Sequence, residues 1–321
     1  MGRESTLVLG NVRPMGERVH YEELGLFHEN AEEHGLAFDA APIVRREMVE
    51  VAPGRHLSAL VWGAAPPELV LIHGGAQNAH TWDTVALALD RPLMAVDLPG
   101  HGHSGPPSPE GLGELSVSAN ATDVAVVVRA LAPGAKVVVG MSLGGLTAIA
   151  LAGQAPELVR RLALVDITPG VDGPKSQAIT AFVNGPASFP SFDDILARTI
   201  EHNPTRTVAS LRRGILHNAV QLDDGTWVWR YRRHATSLIG DPATRRPDWS
   251  SLWEVLGSLT VPVLLARGMR AQSVVDDADE AELLRRLPGA RVVHVEDAGH
   301  SLQGDTPLEL AAILARFVSE T

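Results

Sequence analysis

The stretch Gly140-Met141-Ser142-Leu143-Gly144 places one hydroxyl between glycines where an apolar run, 136–140, meets an alanine-rich segment. A serine with a glycine two residues to either side, between a strand and a helix, has the spacing of a nucleophile on a tight turn. Side chains at Gly140 and Gly144 would collide as the helix packs back on the strands, and Ser142 itself takes a strained backbone. The Leu143 N–H then stands at a helix N-terminus, where backbone donors and the dipole stabilise an oxyanion. The plainer alternative is a serine that only caps the helix. Two further stretches supply what acyl transfer needs. In "LVLIHGGAQNAHTW" an apolar run ends in His73-Gly74-Gly75, whose small backbone can aim the Gly75 N–H at the same oxyanion; the alternative is a glycine turn beside a core histidine. In "RVVHVEDAGHSLQGDTPLEL" His300 follows the last apolar run in a glycine-containing loop, a place from which a general base can reach the serine. His294, inside that run, is read as packed or solvent-facing. The pair His101-x-His103 in "AVDLPGHGHSGPP" has no further ligand at a metal-site spacing, so no metal is assigned and the stretch is read as a structural loop.

These residues need a scaffold that brings distant loops together. Six apolar runs, at 69–73, 93–97, 136–140, 162–166, 261–266 and 291–295, alternate with amphipathic stretches such as 115–131 and 277–287. Apolar throughout and separated by helices, they predict a mostly parallel sheet flanked by helices on both faces. Ahead of them "RREMVEVAPGRHLSALVWG" alternates on either side of Pro53-Gly54, a hairpin that brings the count to about eight strands. Ligands gather beyond the carboxyl ends of such strands, the edge where the unusual residues cluster. Between Asp166 and Leu259 the strand rhythm stops for about ninety residues, too long for a structureless loop. The expectation is a mainly helical lid inserted after strand 6, at 167–258, with one aromatic turn in "DGTWVWRYRRH". Residues 1–42 are polar and acidic, with Leu24, Leu26, Phe27 and Leu36 in a loosely helical pattern. They predict an extension packed on a core made of 43–166 and 259–321.

The 321 residues suffice for one main domain, and 45% hydrophobic with 20% charged residues is ordinary for a soluble globular chain. A formal charge of -11, from 27 basic and 38 acidic side chains, disfavours nucleic acid and anionic membranes as partners. With no cysteine, disulfides, thiolate metal sites and a cysteine nucleophile are excluded together. The first residues carry no sustained apolar core or small-residue cleavage site, and Met1-Gly2 alone is weak evidence for myristoylation. No stretch approaches the roughly 18 apolar residues of a membrane span. A cytoplasmic location is expected.

Taken in order, the HGG stretch, the D-x-x-G-H-G-x-S-G loop at 97–105, the G-x-S-x-G turn and Gly299-His300 resemble the α/β-hydrolase-fold enzymes that carry a cap domain. The resemblance runs from about Arg45 to the C-terminus and leaves the first 42 residues outside, as a lid or an oligomer contact. It implies Ser142 as nucleophile, His300 as its histidine and an oxyanion hole from the Gly75 and Leu143 amides, with no cofactor. Much of the family takes its acid from a loop after the seventh strand, but here Ser273 stands where that aspartate is expected. Asp276 and Asp277 come a few residues later and read as first-turn acids of the next helix. Asp166, at the end of the sixth strand, is the position some members use, and a carboxylate there can accept the far N–H of His300. A structural role at the lid entry, through Thr168, is its alternative. A serine at the turn disfavours the branches that use a carboxylate nucleophile. The expected activity is hydrolysis of a small carboxylic ester; a carbon–carbon bond hydrolase acting on a vinylogous diketone and a non-catalytic ligand receptor are the competitors. In the lid, Phe182, Phe189, Phe192, Trp227 and Trp229 are candidates to wall an apolar pocket. Arg212, Arg213, Arg230, Arg232 and Arg233 are candidates to meet a substrate carboxylate, but for most of both sets the plainer reading is preferred, aromatics filling the lid core and arginines solvating its surface.

Overall fold

The computed structural model describes residues 18–108, 117–172, 174–231 and 249–320. After helix α1 (Phe27–His34), strands β1 (Val44–Ala52) and β2 (Arg55–Trp62) form the expected antiparallel hairpin. Then β3 (Leu69–Ile72), α2 (Asp83–Leu89), β4 (Leu93–Val96), α3 (Val117–Leu131), β5 (Val137–Met141), α4 (Leu143–Gln154) and β6 (Leu162–Val165) alternate strand with helix. The eight-stranded sheet has the order β1-β2-β4-β3-β5-β6-β10-β11, completed by β10 (Val263–Gly268) and β11 (Arg291–Val295). From β4 to β11 every pairing is parallel; only β1–β2 and β2–β4 are antiparallel. Helices α9 (Asp277–Arg286), α10 (Leu302–Asp305) and α11 (Pro307–Ser319) belong to its last third.

Strands β3 to β6 are apolar at every position because both faces are covered, whereas the edge strand β11 leaves Arg291 and His294 exposed. Val70 and Ile72 of β3 point into one core, shared with α3, α4 and α9, whereas Leu69 and Leu71 point into a second, shared with α1, α2 and α11. The period of two divides each strand between the cores. Gaining about 1.5–3 kcal/mol for each fully buried aliphatic side chain, this layering fixes where each strand ends.

Between β6 and β10 lie α5 (Gln177–Val183), β7 (Ser188–Phe189), α6 (Phe192–His202), α7 (Val208–Asn218), β8 (Ala219–Gln221), β9 (Trp227–Trp229) and α8 (Ser250–Ser258). The segment is mainly helical as expected, but the aromatic stretch is not a turn. Trp227–Trp229 is the central strand of a small antiparallel sheet, β7-β9-β8. The turn comes just before it, at Gly225 with φ 87°, where the Leu222 N–H donates to the Thr226 carbonyl over 2.7 Å. Trp227 and Trp229 then bury on one face with Phe189, Ile195 and Ile215, leaving Val228 partly exposed between them. Phe182 and Phe192 pack edge-on against those tryptophans, so the five aromatics build the core of this segment. Helix α8 packs instead into the core under α4.

Residues 18–34 touch both parts. Along α7 and β8, Arg18 pairs with Asp223, the Val19 N–H donates to Gln221 Oε1, Tyr21 bonds His217 over 2.7 Å and Glu33 pairs with Arg213. On the core, Phe27 lies 4.8 Å from the Trp62 ring and Glu23 pairs with Arg46. Arg212, one of the candidates for a substrate carboxylate, turns to Glu29. Arg232 and Arg233 lie outside the described residues.

Candidate active site

Register brings the sequence candidates together. Ile72 pairs with Gly140 and Met141 with Val165, so Gly74, Ser142 and Asp166 follow three adjacent strands at the same level. Ser142 has φ 52°, ψ -122°, and its side chain makes no capping bond to α4. The capping alternative is therefore not what the hydroxyl does. A Cβ on Gly140 would overlap the Gly144 carbonyl, and one on Gly144 would overlap the carbonyls of Ile72 and His73. Only glycine lets α4 lie this close to β3 and β5, which holds Ser142 at the crest of the turn.

Asp166 is fully buried and also has positive φ, 47°. Its Oδ1 accepts from the Gly268 N–H at 2.9 Å and the Ser273 hydroxyl at 2.6 Å; its Oδ2 accepts from the Val274 N–H at 3.0 Å and faces His300 Nδ1 at 2.9 Å. With donors on both oxygens, Nδ1 carries the proton and Nε2 is left with a lone pair. That Nε2 is buried and has no hydrogen-bond partner among the described residues. Asp166 does not serve Thr168, whose hydroxyl accepts from the Gly170 N–H. Ser273 stands where an aspartate was expected, and its hydroxyl instead donates to the Asp166 carboxylate after the neighbouring strand. Asp276 caps α9 in a reciprocal capping box with Asp279, and Asp277 pairs with Arg267.

In the loop after β3, a Cβ on Gly74 would lie 3.1 Å from Ser142 Cβ, so this backbone touches the serine turn. The Gly74 N–H donates to Gln77 Oε1 and the Ala76 N–H to His101 Nε2. Neither the Gly75 nor the Leu143 N–H has an acceptor among the described residues. His73 is buried, with Nε2 accepting from the Leu98 N–H. Asp97 pins the 97–105 loop, its carboxylate accepting from the Ala79 and His103 N–H groups and from Arg46. Four non-glycine residues have positive φ among those described: Ala76, Asp90, Ser142 and Asp166. Three of them belong to this one edge of the sheet, at a cost of about 1–3 kcal/mol each that the surrounding bonds must offset.

One other cluster has the composition of a metal site. Ligand atoms of His80, Asp83 and His217 lie within 4.8 Å of one another, all buried. The two imidazoles are stacked, however, with centroids 3.8 Å apart and planes at 11°. A ligand lone pair lies in the plane of its ring, so two rings stacked face to face cannot direct lone pairs at one ion. The contacts are those of a shared proton: His80 Nδ1 meets Asp83 at 2.8 Å and Nε2 meets Glu23 at 3.1 Å. Burial pulls the His80 imidazolium down, but Asp83 and Glu23 outweigh it and raise the group to about 9. Burial and the adjacent His80 hold His217 well below 6.5, hence neutral. A histidine raised on folding stabilises fully below pH 6.5 and loses that contribution as pH climbs through 9. We expect a loss of up to about 3 kcal/mol in urea unfolding free energy between pH 6 and pH 9, and a flatter profile for His80→Gln. An equally steep profile in the variant would reassign the effect.

This geometry can be compared with that of known proteins. Residues 67–307 match the model of the alpha/beta hydrolase fold family. The esterase Rv0045c of Mycobacterium tuberculosis is 44% identical over 305 residues, covering 93% of this chain and 96% of that protein. A crystal structure of that esterase superposes with a TM-score of 0.79 at 43% identity, over 95% of this chain and all of that one. The sn-1-specific diacylglycerol lipase ABHD11 of Xenopus laevis is 28% identical, over 78% of this chain and 80% of its own length. The strand order, the serine turn and these matches agree: the chain belongs to the α/β-hydrolase fold family.

Proposed function

We propose that this protein hydrolyses small carboxylic esters through an acyl-enzyme on Ser142. The carrying observation is the pair Asp166–His300: Asp166 follows the strand paired with the one that leads into Ser142, and the outer nitrogen Nε2 of His300 is buried without a partner among the described residues. In this reading Nε2 takes the Ser142 proton as Oγ attacks the ester carbonyl, and returns it to the departing alcohol. Water then gives its proton to Nε2, attacks the acyl carbon, and releases the acid with the serine restored. Asp166 holds the imidazole tautomer and offsets the charge of the imidazolium. The Gly75 and Leu143 N–H groups receive the oxyanion, aided by the N-terminus of α4. No step calls for a cofactor.

The segment 167–258 acts as the cap that bounds the substrate, with residues 18–34 fastening it to the core. An esterase and a lipase among the relatives support the ester reading by name. A carbon–carbon hydrolase would use the same three side chains, with His300 first driving ketonisation; a receptor of this fold would keep them without turnover. A panel of short and medium acyl esters, carboxylate-bearing monoesters, lactones and ring-fission diketones, run beside Ser142→Ala, separates the three. Serine-dependent ester cleavage is the expected result. Cleavage confined to diketones, or silence across the panel, would overturn it.

A further inference from the structure

We infer that Asn218, the last residue of α7, is a positioning residue for the oxyanion loop, an inference that rests on the serine-hydrolase reading above. Ala76 holds φ 61°, a conformation that costs a residue with a Cβ about 1–2 kcal/mol. It must be held from outside. Its N–H is fixed by His101 Nε2 at 3.1 Å, and its carbonyl accepts a hydrogen bond from Asn218 Nδ2 at 2.7 Å. The orientation of the Asn218 amide is dictated by its partners: a carbonyl oxygen needs the NH2 side, while Oδ1 accepts from Asn78 Nδ2 at 3.2 Å. Asn78 also donates to the His217 carbonyl at 3.0 Å, and its own Oδ1 accepts from the His80 N–H. Two asparagines, one after β3 and one on α7, thus bolt the loop to the helix.

Within the loop, side chains and backbone already hold its other donors, the Ala79 N–H going to Asp97. With the Gly74 N–H tied to Gln77 and the Ala76 N–H tied to His101, the Gly75 N–H between them stays unengaged among the described residues. Releasing the Ala76 carbonyl would let this residue return to negative φ and turn the Gly75 peptide away from the serine. Helix α7 in turn is held by Tyr21 at His217, by the stack of His217 on His80, and by Glu33 at Arg213. The segment over the core thereby fixes an anion-binding donor without touching substrate.

A donor aimed at charge that develops only in the transition state should act on kcat and leave substrate binding nearly alone. Asn218→Ala and Asn218→Asp both lose the donor to Ala76, and Asp keeps the shape and the acceptor for Asn78. For either folded variant kcat should fall about 10- to 100-fold with KM within about threefold. Affinity for an aryl boronic acid, which forms a tetrahedral adduct on the serine, should fall in step with kcat/KM. A kcat within twofold of wild type, or a loss lying wholly in KM with boronate affinity unchanged, would overturn the inference. A fluorophosphonate probe keeps the two readings apart. Failure of wild-type protein to label at Ser142 would remove the serine-hydrolase reading itself, whereas labelled wild type with an equally fast Asn218→Ala would remove only the positioning role.

Discussion

Ser142→Ala and His300→Ala should each lower ester turnover by about 10⁴- to 10⁶-fold, because members of one nucleophile–base unit fail together. The two variants should differ in stability. The Ser142 hydroxyl makes no capping bond, and alanine at φ 52° is strained about as much as serine, so Ser142→Ala should melt near wild type. His300→Ala removes a donor from the buried Asp166 and leaves a cavity beside it, a cost of about 1–3 kcal/mol. Activity is read as kcat/KM on the best ester of the panel, and folding by thermal melts and near-ultraviolet circular dichroism. The double variant should be little slower than either single one. A single variant with near-wild-type turnover would sink the acyl-enzyme mechanism, and multiplicative losses would mean that the two side chains work independently.

Much of this architecture is legible in the sequence because buried parallel strands announce themselves. Each run from Leu69–Ile72 to Arg291–Val295 sits in the sheet, and the alternating hairpin completes the eight strands. The serine turn is legible for a related reason: Gly140 and Gly144 stand where backbones meet, and contact at that distance leaves one residue type. What escapes is the set of polar side chains that act across elements. Ser273 reads as a missing acid until Asp166 is seen to accept its hydroxyl, and a separation of 107 positions gives no periodic signal. Asn78 and Asn218 are 140 apart and ordinary in type. The short strand Trp227–Trp229 escapes because three residues cannot display an alternation, and Gly225 beside it draws the reading toward a turn.

The choice of acid is the second large effect. Asp166→Asn should lower kcat by about 10³- to 10⁴-fold, while Asp276→Asn with Asp277→Asn should stay within a few-fold of wild type. Donors decide between them. Gly268, Ser273, Val274 and His300 all direct hydrogens at the Asp166 carboxylate, and an asparagine offers one oxygen where two are needed. If its NH2 side faces Val274 and His300, the imidazole must turn its Nδ1 lone pair inward and protonate Nε2, the wrong tautomer for a base. If it faces Gly268 and Ser273, a buried backbone N–H loses its acceptor and stability falls by about 1–3 kcal/mol. The later pair does different work. Asp276 caps α9 and pairs with Lys175, and Asp277 pairs with Arg267 while its carboxylate is 94% exposed. Removing both costs a cap, about 1 kcal/mol, and two ion pairs of small worth. Melting temperature should therefore drop for the double variant with turnover nearly intact, and turnover should collapse for Asp166→Asn. The reverse ranking would place the acid in the later loop and leave Asp166 as the anchor that holds it there.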